Sequence, residues 1–242
     1  MLIHYIYFMI CKKIACFSLF VFITANLLSQ QEVEENSIDL KYREDQFYVG
    51  VSYNLVTKVP SSFNLKGVSG GFHFGYLRDM PLNEQRNIAI ALGLGFSFDQ
   101  YGQNLFIGED TSETTIFSIL DNSVNYTSNR LSVASIEVPF EFRWRTSTPS
   151  VYKFWRIYAG LKPGYMYWYR SQFKQPNNSV SQTKIPEFQK ISLGATLAFG
   201  YGTFNFYANY SVLPFFKDAI LIDTQERVEF HPFKIGLIFY IL

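Results

Sequence analysis

From Gln46 to the carboxyl end, large apolar residues recur at every second position in stretches of about ten, with small or polar residues between them. A period of two is the signature of strands, and eight stretches carry it. Phe47, Val49, Val51 and Tyr53 share a face in the first. Val68, Phe72, Phe74 and Tyr76 do so in the second, opposite Ser69, Gly71, His73 and Gly75. The third is the most regular, with Ile88, Ile90, Leu92, Leu94, Phe96 and Phe98 against Ala89, Ala91, Gly93, Gly95 and Ser97. A slip of one residue there would invert every side chain, so the register is strongly specified. The fourth sets Ile136, Val138, Phe140, Phe142 and Trp144 against Glu137, Glu141, Arg143 and Arg145. In the fifth, Trp155, Ile157, Ala159, Leu161, Tyr165, Tyr167 and Tyr169 oppose Arg156, Tyr158, Gly160, Lys162 and Gly164. The sixth runs from Ile191 to Tyr201 and the seventh from Phe204 to Tyr210. The eighth pairs Phe233, Ile235, Leu237, Phe239 and Ile241 with Lys234, Gly236 and Tyr240.

Soluble and membrane barrels both alternate in this way and differ in which face is turned outward. Rows of Phe, Leu and Ile six deep exceed what the interior of an eight-stranded barrel holds. Turned outward they form a lipid-facing band, and the Gly, Ala and Ser opposite them leave room inside for Arg, Lys and Glu. The connections agree. Short ones fall around Asp79 and Pro81, around Ser147 and Pro149, and at Gly202, alternating with long ones over 55–66, 99–130, 171–187 and 214–229. The pattern therefore predicts an all-β fold: an eight-stranded antiparallel transmembrane β-barrel, up-and-down, with short periplasmic turns and longer outer loops. Tyrosines near the strand ends, among them Tyr53, Tyr76, Tyr165 and Tyr210, suit the headgroup level.

Residues 1–29 read as a signal peptide, with Lys12 and Lys13 ahead of an apolar run that ends near Ser29. The apolar stretch 3–10 before those lysines leaves open a start at Met9 or a retained anchor. Residues 30–45 are polar and aperiodic and are expected to be a flexible periplasmic leader, so the barrel itself spans 46–242. No apolar run of about 18 residues, the minimum for a membrane-crossing helix, follows residue 29. The expected location is the cell outer membrane, reached by export.

Aromatic residues make up 19% of the chain, which the lipid-facing band explains, and charged residues only 17%. The formal net charge is +1, and without residues 1–29 the chain has 19 basic against 20 acidic residues. No basic patch offers a nucleic-acid surface. Both cysteines, Cys11 and Cys16, lie in the expected signal peptide. The remaining histidines, His73 and His231, are far apart, so no zinc or copper site is expected. The loop acids Glu109, Asp110, Glu113 and Asp121 match no calcium-loop spacing. No phosphate-cradling loop appears, and no cofactor is expected. His231 has outward parity near the outer end of its strand, where the base of a lipid-acting enzyme would stand, yet no serine or acid on the neighbouring strands completes a triad. The inward charges Glu137, Glu141, Arg143, Arg145, Arg156, Lys162 and Lys234 form the one notable constellation. Buried charges persist when paired, so they are expected to plug the lumen, with a narrow polar conduit as the alternative.

Five blocks carry a family resemblance. They are YREDQFYVGVSYN (42–54), FGYLRDMPLNEQRN (74–87), IEVPFEFRWRTSTP (136–149), KFWRIYAGLKPGY (153–165) and FKIGLIFYIL (233–242). Together they resemble PorT, an outer-membrane barrel family of Bacteroidota associated with type IX protein secretion and, in gliding species, with motility. The resemblance spans about residues 42–242 and is weakest in the outer loops 109–129 and 174–186. It implies a non-enzymatic component that acts through contacts with other secretion subunits, with outer-membrane lipid around it. The inner turns are the expected contact surface, through the rim residues Arg78, Asp79, Arg86 and Lys153. A small lipid-modifying enzyme and a passive pore or binding barrel are the competing function classes.

Overall fold

The computed structural model describes residues 44–121, 123–146 and 154–241. The strands in chain order are β1 (Gln46–Thr57), β2 (Gly70–Pro81), β3 (Ile88–Gly102), β4 (Leu105–Glu109), β5 (Thr115–Ile119), β6 (Ser128–Glu137) and β7 (Phe140–Arg145). They continue with β8 (Trp155–Gln175), β9 (Asn178–Gln182), β10 (Ile191–Tyr201), β11 (Phe204–Ser211) and β12 (His231–Ile241). Eight antiparallel barrel strands result, because β6 and β7 are two halves of one: β3 pairs with both, and so does β8. The sheet closes on itself through β1 with β12 and β8 with β10. Closure leaves no edge strand, which is what lets a sheet stand in lipid. The fold expected from the alternation is the fold observed.

The break between β6 and β7 falls at Val138 and Pro139. Proline has no N–H for the ladder, so the ladder is interrupted there and resumes at Phe140. Around the break Val138 N donates to Pro163 O at 2.8 Å and Gly93 N donates to Pro139 O at 3.0 Å. A second irregularity lies on β8. Ala134 faces Trp168 while Ser135 faces Met166, so Tyr167 is an extra residue, a bulge. Beyond it the parity of β8 reverses. Trp168 faces lipid, and Tyr169, expected on the lipid face, instead turns inward and stacks on Phe188 with ring centres 4.0 Å apart.

The strands reach further outward than the alternation alone marks. The fourth barrel strand starts at Ser128, eight residues before Ile136, and β8 runs for 21 residues. The expected thirty-residue loop contains the hairpin β4–β5, and β9 adds to β8. All the long connections lie at one end, opposite the short turns and both chain ends of the barrel. There they build a second apolar core from Phe63, Ile107, Phe117, Phe188, Phe216 and Phe230 with their neighbours. It closes the outer end of the barrel like a cap.

Candidate functional site

The barrel interior is filled in layers. At the periplasmic end Asp79 of β2 stands at 0% exposure between two arginines of β7. Arg145 Nη1 and Nη2 donate to Asp79 Oδ1 and Oδ2, both at 2.8 Å, a two-pronged pairing of guanidinium with carboxylate. Arg143 Nη1 donates to Asp79 Oδ1 at 3.2 Å, and its Nε to Glu141 Oε2 at 3.1 Å. Glu44, just before β1, comes within 3.9 Å of Arg145, accepts from Gln46 Nε2 at 3.2 Å, and offers its backbone carbonyl to Arg143 at 3.4 Å. Burial raises the Glu44 carboxyl above the usual carboxylate range, against the pull of Arg145 and Arg156. Arg156 makes no ion pair among the described residues. Its guanidinium lies instead over the rings of Phe154, Tyr240 and Tyr158, at 4.5, 5.4 and 5.8 Å.

The middle layer is aromatic and ionic together. Lys162 Nζ lies 3.2 Å from Glu137 Oε2 and donates to the Tyr207 hydroxyl at 2.7 Å. Ser97 Oγ donates to Glu137 Oε1 at 3.1 Å, and the His73 ring lies 4.7 Å from that of Tyr207. Glycine makes this packing possible: a Cβ on Gly95 would overlap the Tyr48 hydroxyl, and one on Gly50 would overlap the His73 ring. The outermost layer is Lys234 with Asp99 at 2.5 Å, and Asn54 Nδ2 donates to Asp99 Oδ1 at 3.0 Å. Beneath the cap lies a cavity of about 30 Å³ among Asp99, Glu137, Lys162, Asn209 and Lys234. That is room for water but not for a larger solute.

The seven lumen charges expected from parity therefore do meet inside, though as separate clusters rather than one network. Three of them, Arg143, Arg145 and Lys234, pair with carboxylates outside that set. Asp79, expected on the contact rim, belongs to the lumen, because the inward period of β2 (His73, Gly75, Leu77) continues for one more step. Asp99 likewise continues the inward period of β3 beyond Ser97. Glu44 and Asp45 fall in the expected flexible leader, yet Glu44 is buried and Asp45 Oδ1 accepts from Asp79 N at 2.8 Å. Of the other rim residues, Arg78 is exposed on the lipid-facing side, Arg86 offers its carbonyl to Arg145 Nε at 2.9 Å, and Lys153 lies outside the described residues. His231 is 4% exposed despite its outward parity: Nδ1 lies 3.0 Å from Ser211 O and the Tyr210 ring stacks on it, both from β11. Among the described residues no three His, Cys, Asp or Glu side chains converge as a metal site would require.

A family model described as "Outer membrane protein beta-barrel domain" matches residues 28–217. No curated protein matches the sequence. Among solved structures, the chain is similar to Ail, the attachment invasion locus protein of Yersinia pestis, crystallised with the heparin analogue sucrose octasulfate. The two are 16% identical, over 82% of this chain and 99% of that one, with a TM-score of 0.33. At that level nothing about ligands passes from one to the other.

Proposed function

We propose, taking as premise that this chain belongs to the outer membrane protein beta-barrel domain family, that it serves type IX protein secretion, and gliding where present, as a non-catalytic component working through protein contacts. The observation that carries this reading is a convergence. The five sequence blocks that resemble PorT supply Glu44, Asp79, Arg143, Arg145, Arg156 and Tyr240, and these residues meet in the periplasmic mouth of the lumen. What the blocks share is thus one device, an ionic plug that stiffens the periplasmic rim. A lumen filled with paired charges and closed above by an apolar cap supports action through surfaces rather than passage through the barrel. The withdrawal of His231 from lipid counts against a lipid-acting enzyme. On this reading residues 1–29 direct export, and the periplasmic turns carrying Arg86 and Lys153 make the contacts.

Affinity purification of the tagged protein from native outer membranes, with mass spectrometry of bound proteins, tests the proposal alongside the secretome of a deletion strain. The expected result is that secretion subunits co-purify and that cargo carrying type IX signals accumulates in the periplasm of the deletion strain. No specific partner and an unchanged secretome would overturn it.

A further inference from the structure

Above the apolar band, the outward face of β3, β6 and β8 turns basic. Phe98, Ala134 and Trp168 stand side by side on these strands, and Trp168 is 45% exposed. The next rung outward holds Gln100, Ser132 and Arg170; the one after, Gly102, Arg130 and Gln172; the last, Ser128 and Lys174. These eight outward positions contain three cations and no acid. Lys66 joins them from the β1–β2 loop, lying 4.7 Å from the centre of the Tyr126 ring. A groove of about 310 Å³ opens among Lys66, Gln100, Tyr126 and Arg130. Among the described residues none of Lys66, Arg130, Arg170 and Lys174 makes an ion pair. In the lumen, by contrast, every cation of the network except Arg156 has its carboxylate.

The neighbours of these cations hold them in place without neutralising them. Arg130 Nη2 donates to Gln172 Oε1 and Arg170 Nε to Ser181 Oγ, each at 2.8 Å. Each guanidinium has five N–H donors, so most of its hydrogen-bonding capacity is left for a ligand. Like charges on adjacent rungs repel, and a counter-anion relieves that cost. We propose that this ladder binds the phosphate-bearing headgroup of an outer-leaflet glycolipid, whose acyl chains lie along Phe98 and Trp168. The placement argues for a lipid rather than a free anion. The first cation stands one rung, about 7 Å along the strand, above the last lipid-facing ring, which is headgroup depth. Glutamine and serine between the cations suit the hydroxyls of a sugar headgroup. The orientation follows from the long loops facing outward.

The test compares the full-length protein with the variant R130Q/R170Q/K174Q in binding to vesicles of neutral phospholipid doped with a phosphorylated glycolipid or with its dephosphorylated counterpart. Heat-shifted gel mobility shows that both are folded barrels, and K217Q serves as an exposed-lysine control. The expected result is binding of the phosphorylated glycolipid about 100-fold tighter by wild type and K217Q than by the triple variant. That difference should shrink in high salt, and removal of the phosphates should abolish it. Equal binding by wild type and the triple variant overturns the proposal. So does full displacement of the glycolipid by soluble pyrophosphate at matched phosphate concentration, which would make the ladder a site for free anions.

Discussion

Asp79 accepts hydrogen bonds from Arg143 and Arg145 at once, and all three side chains are sealed from solvent. Removing one member of such a group leaves uncompensated charge in a place without water, a cost of about 3–5 kcal/mol. Asp79→Asn keeps the shape and removes the charge, so it should lower the stability of the refolded barrel by that order. Urea unfolding in lipid vesicles reads it, and an unchanged midpoint would show that the arginines find other partners. Glu44 offers the opposite sign. Its carboxyl is raised in the folded protein, so folding favours its protonated form. The stabilisation is complete below the ordinary carboxylate pKa and is lost as pH rises through the raised value. Glu44→Gln, which mimics the protonated group, should therefore match wild type in acid and exceed it at about pH 7, with the gap opening between.

At the scale of elements, β8 does the most to shape the outer half. Its bulge at Tyr167 moves Tyr169 from the lipid face to the cap, where the aromatic ring joins Phe188, Phe215 and Phe216. Phe216 also packs edge-on against Phe117 and Phe230, at 5.3 and 5.8 Å between centres, so it ties the β11–β12 loop to the β4–β5 hairpin. Phe216→Ala should cost the cap about 3–5 kcal/mol while leaving the paired barrel strands intact. The expected outcome is selective cleavage of the outer loops by protease added to proteoliposomes, with the lipid-embedded strands still protected. If loops and barrel became susceptible together, cap and barrel would be one cooperative unit.

For the molecule as a whole, the layers stack into two seals, ionic below and apolar above, with a cavity of about 30 Å³ between them. Reconstituted in a planar bilayer, the protein should show no steady conductance. Phe216→Ala alone should not create one, because the Asp79 and Glu137 clusters still fill the lumen beneath. A stable open channel in either form would restore the pore reading.

Strand number, faces and the sense of the loops were legible in the sequence because alternation is local: each residue's side is set by its immediate neighbours. That is why the alternation alone marks Glu137, Glu141, Arg143, Arg145, Arg156, Lys162 and Lys234 as inward. Which charges meet is a different matter. Asp79 and Arg145 are 66 residues apart, and Lys234 and Asp99 are 135 apart. Their meeting depends on the stagger of every strand between them, on the interruption at Pro139 and on the extra residue at Tyr167. The cap was hidden for the same reason: its aromatic residues come from four loops without any period, and only closure of the barrel brings those loops together. The alternation determined the barrel; long-range register and loop convergence, which the tertiary structure alone decides, determined that it is closed.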